Sequence, residues 1–98
     1  SVRYRVAVKE IGVTGKKTTT TETFSDVVWT EDTAIEPFMF RANVTLAHAL
    51  TDDTEVSVGN AIVEQSKFGL VVGEISGQVV TLYALNEPNV DIVVKLEV

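Results

Sequence analysis

The sequence predicts an all-β domain, an antiparallel β-sandwich or small barrel of about seven or eight short strands ending in a C-terminal meander. Three observations carry that prediction. Both ends of the chain alternate apolar and polar residues, turn-forming residues recur at short intervals, and no long stretch keeps the spacing of an amphipathic helix.

Taken in order, residues 2–9 place Val2, Tyr4, Val6 and Val8 on one face and Arg3, Arg5, Ala7 and Lys9 on the other, the pattern of a half-buried strand. The stretch "GKKTTTTETFS" at 15–25 has the composition of a loop or linker, yet extended Thr-rich chain has high β-propensity and is suited to adding to a sheet edge of another copy or of a partner. Strands are expected at 24–29 "FSDVVW" and 35–41 "IEPFMFR". Pro37 has no N–H for a ladder, so the latter lies at an edge or begins late.

Residues 41–50 "RANVTLAHAL" read as a strand with Val44, Leu46, His48 and Leu50 inward, in preference to a helix stacking Leu46 on Leu50. Further strands are expected at 55–64, 69–75, 78–85 and 90–98, these four forming the meander. Its reversals are Ser66-Lys67-Phe68-Gly69, Ser76-Gly77 and Asn86-Glu87-Pro88-Asn89, and Gly59 suits a bulge.

Length and composition fit one domain. Residues 1–98 form a single β-domain in which 1–23 are a basic N-terminal strand plus a Thr-rich extended arm. A chain of 98 residues buries roughly 60–65% of its unfolded surface without a covalent staple. With 45% hydrophobic and 22% charged residues the chain belongs to the soluble globular class. It contains no cysteine, which removes disulfides, thiolate metal sites and cysteine nucleophiles. No apolar run approaches the ~20 residues of a membrane-spanning helix.

"WTEDTA" at 29–34 and "LTDDTE" at 50–55 look alike, but the likeness ends with the four shared positions, so they are not a repeat. Glu31, Asp32, Glu36, Asp52, Asp53 and Glu55 are oxygen donors of the kind calcium takes, but neither loop has the alternating spacing that wraps one ion. The expectation is two turns, in which Asp and Thr side chains bond nearby backbone N–H groups. His48, the one histidine, stands between alanines and reads as a partly buried packing residue. No serine sits in a nucleophile-elbow setting and no glycine run forms a phosphate loop, so no catalytic residue, cofactor or metal is assigned.

Charge is uneven. Residues 1–20 carry Arg3, Arg5, Lys9, Lys16 and Lys17 against Glu10, a net of +4, whereas 21–98 carry three basic and 13 acidic side chains, a net of −10. An acidic domain with so narrow a basic segment argues against nucleic acid. The segment is suited to docking on acidic protein surface, which makes its five cations the candidate partner-binding residues.

The expected function is therefore a non-enzymatic structural or assembly protein. It would attach to a multi-copy protein scaffold and to copies of itself, away from membranes, as a decoration or cement protein or a tail component does in a virion. The alternative is a ligand-binding β-sandwich, carbohydrate being the candidate ligand, with Trp29, Tyr4, Tyr83 and Phe38 as stacking surfaces.

Overall fold

The computed structural model describes residues 18–98. They form two antiparallel sheets packed as a small β-sandwich, with one short helix at an end. In chain order the strands are β1 (Thr19–Phe24), β2 (Thr30–Glu31), β3 (Phe40–Thr45), β4 (Glu55–Val58), β5 (Val71–Ser76), β6 (Val79–Ala84) and β7 (Ile92–Glu97); helix α1 (Ile62–Phe68) lies between β4 and β5. One sheet has the order β1-β7-β4 and the other β2-β3-β6-β5. The predicted strand at 2–9 lies outside the described residues.

Alternation does in three dimensions what it promised in one. Along β7, Ile92, Val94 and Leu96 are buried while Val93, Lys95 and Glu97 are half-buried on the outer face. The register sets Thr20, Glu22 and Phe24 of β1 and Val56 and Val58 of β4 on that same inner face. Facing them are Ala42 and Val44 of β3, Val80, Leu82 and Ala84 of β6 and Val72 of β5. Leu46, Phe68 and Leu70 complete the core from the loops and the helix. Burying each large aliphatic side chain contributes about 1.5–3 kcal/mol, so this layer dominates stability.

Connectivity departs from a meander. β5 and β6 form the one hairpin of the four C-terminal strands, closed by Gly77 and Gln78 after Ser76. β4 pairs with β7, and the chain crosses to the other sheet through residues 85–91. The reason is local: beyond Gly59, whose N–H donates to the Val93 carbonyl at 2.7 Å, the chain leaves the sheet and winds into α1. The expected strand at 55–64 therefore stops at Val58, and the expected reversal at 66–69 is a helix terminus.

Gly59 ends the strand instead of bulging it; the irregularity among the sheets falls between Val72 and Ile75 of β5. The sequence stretch 24–29 is likewise not a strand. Pairing runs through Thr19–Phe24 against β7, and the chain bends at Asp26, whose φ of 59° is one an aspartate tolerates. Residues 19–24 of the threonine-rich stretch thus pair with β7 of the chain's own sheet.

The Pro37 segment begins its strand late, as the missing N–H requires: residues 35–39 form a turn with a cis Glu36-Pro37 bond, and pairing starts at Phe40. After β3, residues 46–50 are neither strand nor helix. Leu46 is buried, Leu50 packs on the core, and His48 stands in solvent with a 55% exposed side chain, against the inward placement that alternation predicted. The strand period cannot be extended past Thr45 because its ladder to β6 ends at Val79.

Candidate docking surface

At one end of the sandwich two irregular segments are held against the end of β6. The first is the 32–39 loop. Its Asp32 N–H donates to the Met39 carbonyl (2.9 Å), Phe38 N–H donates to the Ile35 carbonyl (2.9 Å), and Met39 N–H donates to the Ala84 carbonyl (3.0 Å). The second is α1. Leu85 and Asn86 both donate their N–H to the Phe68 carbonyl, at 2.8 and 3.2 Å, and the Asn86 side-chain amide donates to the Lys67 carbonyl at 3.2 Å.

Helix α1 forms without the usual signals. Ala61 at its N-cap offers no side-chain cap, and Ile62 and Val63 open it with β-branched residues that are poor helix formers. What secures it is the bonding of Asn60, both to the helix itself and to the start of β7. Buried Asn60 donates to the Glu64 carboxylate (2.9 Å) and the Asp91 carbonyl (2.8 Å) and accepts from Val93 N–H (2.8 Å), while Gln65 donates to the Asn60 carbonyl at 2.7 Å. Gly69 closes the helix in the left-handed conformation at φ 63°, its N–H donating to the Gln65 carbonyl.

The helix buries Phe68 and presents the rest of its apolar surface to solvent. Ile62 is 78% exposed and Val63 70%. A groove of about 370 Å³ runs between α1 and the 32–39 loop, lined by Pro37, Phe38, Ile62, Leu70, Val71 and Leu85 among others. It adjoins a second hollow of about 480 Å³ bounded by Thr33, Glu36, Pro37, Phe38 and Met39. Single exposed apolar residues are ordinary, but here several line one depression. Glu36 lines the adjoining hollow, and on α1 the Lys67 ammonium lies 5.3 Å from the Phe68 ring centroid. No local periodicity could have revealed this surface, because its residues come from three separated segments.

A second polar feature joins β1 to the 46–50 loop. Glu22 lies on the inner side of β1, and its carboxylate accepts from Ala47 N–H (2.8 Å), His48 N–H (3.0 Å) and the His48 imidazole (Nδ1 at 2.6 Å). Burial works to raise its pKa, but those N–H groups and the adjacent imidazole outweigh it and hold the carboxyl below its ordinary value. The His48 ring bonds to the Glu22 carboxylate. The pair fastens a loop to a strand.

The acidic turns take the expected form. The Asp32 carboxylate accepts from Ala34 N–H at 2.9 Å, and in the second turn Thr51 and Thr54 exchange hydroxyl and backbone bonds while Asp53 N–H donates to the Thr51 hydroxyl at 3.3 Å. Among the described residues no three His, Asp or Glu side chains are grouped as a metal site, and no helix is long and apolar enough to cross a membrane.

The aromatic residues are mostly committed to packing. Trp29, Phe24 and Phe40 lie against the core, and Tyr83 is 9% exposed, covering Gly73 across the β5–β6 pair with its ring centroid 5.8 Å from that of Phe38. Phe38 also lines both hollows. Arg3, Arg5, Lys9, Lys16, Lys17 and Tyr4 lie outside the described residues. Compared with known proteins, the chain matches no family model, no curated protein and no solved structure.

Proposed function

We propose that this chain is a non-enzymatic assembly protein, one copy among many, that attaches to or stabilises a larger protein scaffold. A viral capsid decoration or tail component is the setting that asks for such a domain. The observation that carries the reading is the apolar groove at the α1 end. Among the described residues ten buried side chains already form the core, so Ile62 in the groove and the neighbouring Val63 stay in water, and covering them in an assembly would remove that apolar surface from solvent. The charge split supports it: a segment of net +4 on a chain whose remainder is −10 favours association between copies at ordinary ionic strength.

Sedimentation analysis of the full chain tests this. The expected result is a mass well above the 10.7 kDa of one chain, falling as salt is raised from about 0.05 to 0.5 M because screening shortens the reach of the charges. A second arm replaces Arg3 and Arg5 by Glu and is expected to weaken association while leaving the circular dichroism unchanged. A species of single-chain mass at every concentration and salt would overturn the multi-copy reading.

A further inference from the structure

Helix α1 is held firmly at its two ends and weakly between them. At the first end Asn60 is buried and bonded to the start of β7, its side-chain amide donating to the Asp91 carbonyl and its side-chain oxygen accepting from Val93 N–H, both at 2.8 Å. At the other end Phe68 is buried in the core, and its backbone carbonyl accepts from the N–H groups of Leu85 and Asn86 at 2.8 and 3.2 Å. These anchors belong to the sandwich, and neither requires residues 61–67 to be helical.

Between the anchors, residues 61–67 bury no side chain: Ala61, Ile62, Val63, Ser66 and Lys67 are exposed, and Glu64 and Gln65 are half-buried. What ties them down is polar. Asn60 donates to the Glu64 carboxylate (2.9 Å), the Gln65 amide donates to the Asn60 and Val58 carbonyls (2.7 and 3.3 Å), the Gln65 carbonyl accepts from Leu70 N–H (3.1 Å), and the Asn86 amide donates to the Lys67 carbonyl (3.2 Å). Each such bond adds little net stability, because water replaces it once the group is exposed. The seven residues of α1 fall well short of the ~12–15 that an isolated helix needs to hold in water. Ile62 and Val63 lower its stability further. Unwinding 61–67 therefore loses no apolar burial, whereas opening β6 or β7 exposes Val80, Leu82, Ile92 and Val94.

We infer that residues 61–67 are a strap that unwinds and rewinds between fixed anchors while the sandwich stays folded, opening and closing one wall of the groove. The strap supplies Ile62, Gln65 and Ser66 to the groove lining, and Phe38, Leu70 and Leu85 stay in place when it opens. The motion stands on the bonds of α1 alone. Its use, fitting the groove to the protein surface that covers it, rests on the assembly reading.

Hydrogen exchange of the dilute full-length chain, read amide by amide, tests the strap. The expected result is that the helical amides of α1 are protected, but on the order of a hundredfold less than those of β6 and β7, as a local opening requires. In sub-denaturing urea the α1 rates should stay flat while the β6 and β7 rates rise, because urea sensitivity follows the surface exposed on opening. A second arm uses Gly77→Ala at the far hairpin, where φ is +61° and a Cβ meets nothing within 4 Å. It should lower β6 and β7 protection roughly fivefold through backbone strain and leave α1 unchanged, since the strap opens without unfolding that turn. Protection of α1 equal to that of the ladders, a matching rise with urea, a matching loss in Gly77→Ala, or no protection at all overturns the inference. The urea series decides the matter on the wild-type chain alone, and none of these outcomes depends on the sedimentation result, so the strap and the assembly reading fail separately.

Discussion

Glu22 illustrates how one residue can carry a tertiary decision. It occupies an inward position of β1, between Thr20 and Phe24, where a carboxylate is costly unless bonded. Three donors from the 47–48 turn satisfy it, and in doing so they turn His48 out to solvent. Replacing Glu22 with Gln removes the charge that strengthens these bonds and should lower stability by about 1–2 kcal/mol near neutral pH, measured by urea unfolding. Since the folded carboxyl has a lowered pKa, its contribution is complete above the ordinary value of 4.5 and is lost as pH falls through the lowered one. The difference between wild type and Glu22→Gln should therefore shrink on acidification. Equal stability of the two proteins at pH 7 would show that water replaces the carboxylate without loss.

At the scale of elements, α1 and the β5–β6 hairpin both end on glycine in the left-handed region, but their surroundings differ. A Cβ at Gly69, where φ is +63°, would stand 2.6 Å from Leu85 Cγ, whereas one at Gly77, where φ is +61°, meets nothing within 4 Å. Gly77→Ala should cost only the conformational strain, about 1 kcal/mol, while Gly69→Ala adds overpacking and should cost about 2–4 kcal/mol. Thermal unfolding of the two variants separates the terms, and equal losses would mean that Leu85 moves aside freely. Legibility also differed between these elements. The hairpin could be read because the turn-forming pair Ser76-Gly77 sits between two apolar runs. Helix α1 could not, because "IVEQSKF" buries only Phe68 and thus writes no apolar stripe into the sequence.

For the whole molecule, the open question from composition was whether the two acidic turns meet around an ion. They belong to different sheets: Glu31 ends β2 of the four-stranded sheet, and Asp52 and Asp53 precede β4 of the three-stranded one. Asp32 already accepts a bond from its own loop. Millimolar calcium should accordingly leave the melting temperature within about a degree, because a ligand stabilises only by binding the folded state more tightly than the unfolded. A rise of several degrees would mean that the loops converge on an ion. The same scale governs the candidate surface. Its groove exists because β6 ends where both the 32–39 loop and α1 attach, a coincidence of three segments that no stretch of sequence contains.

Short-range pattern was enough for the all-β class, the half-buried alternation of Ile92–Glu97, the strands near 71–76 and 79–84, the late start at Pro37 and the turn chemistry around Asp32 and Thr51. Each of these follows from residues within a few positions of one another, through side-chain period, a missing N–H or a local hydrogen bond. Long-range packing, by contrast, set the pairing of Thr19–Phe24 with a strand some 70 residues away, the joining of β4 to β7 instead of β5, the helix at 62–68 and the exposure of His48. Those outcomes depend on partners distant in the chain, and a hydrogen bond or a buried face has no sequence signature until the fold brings its two halves together.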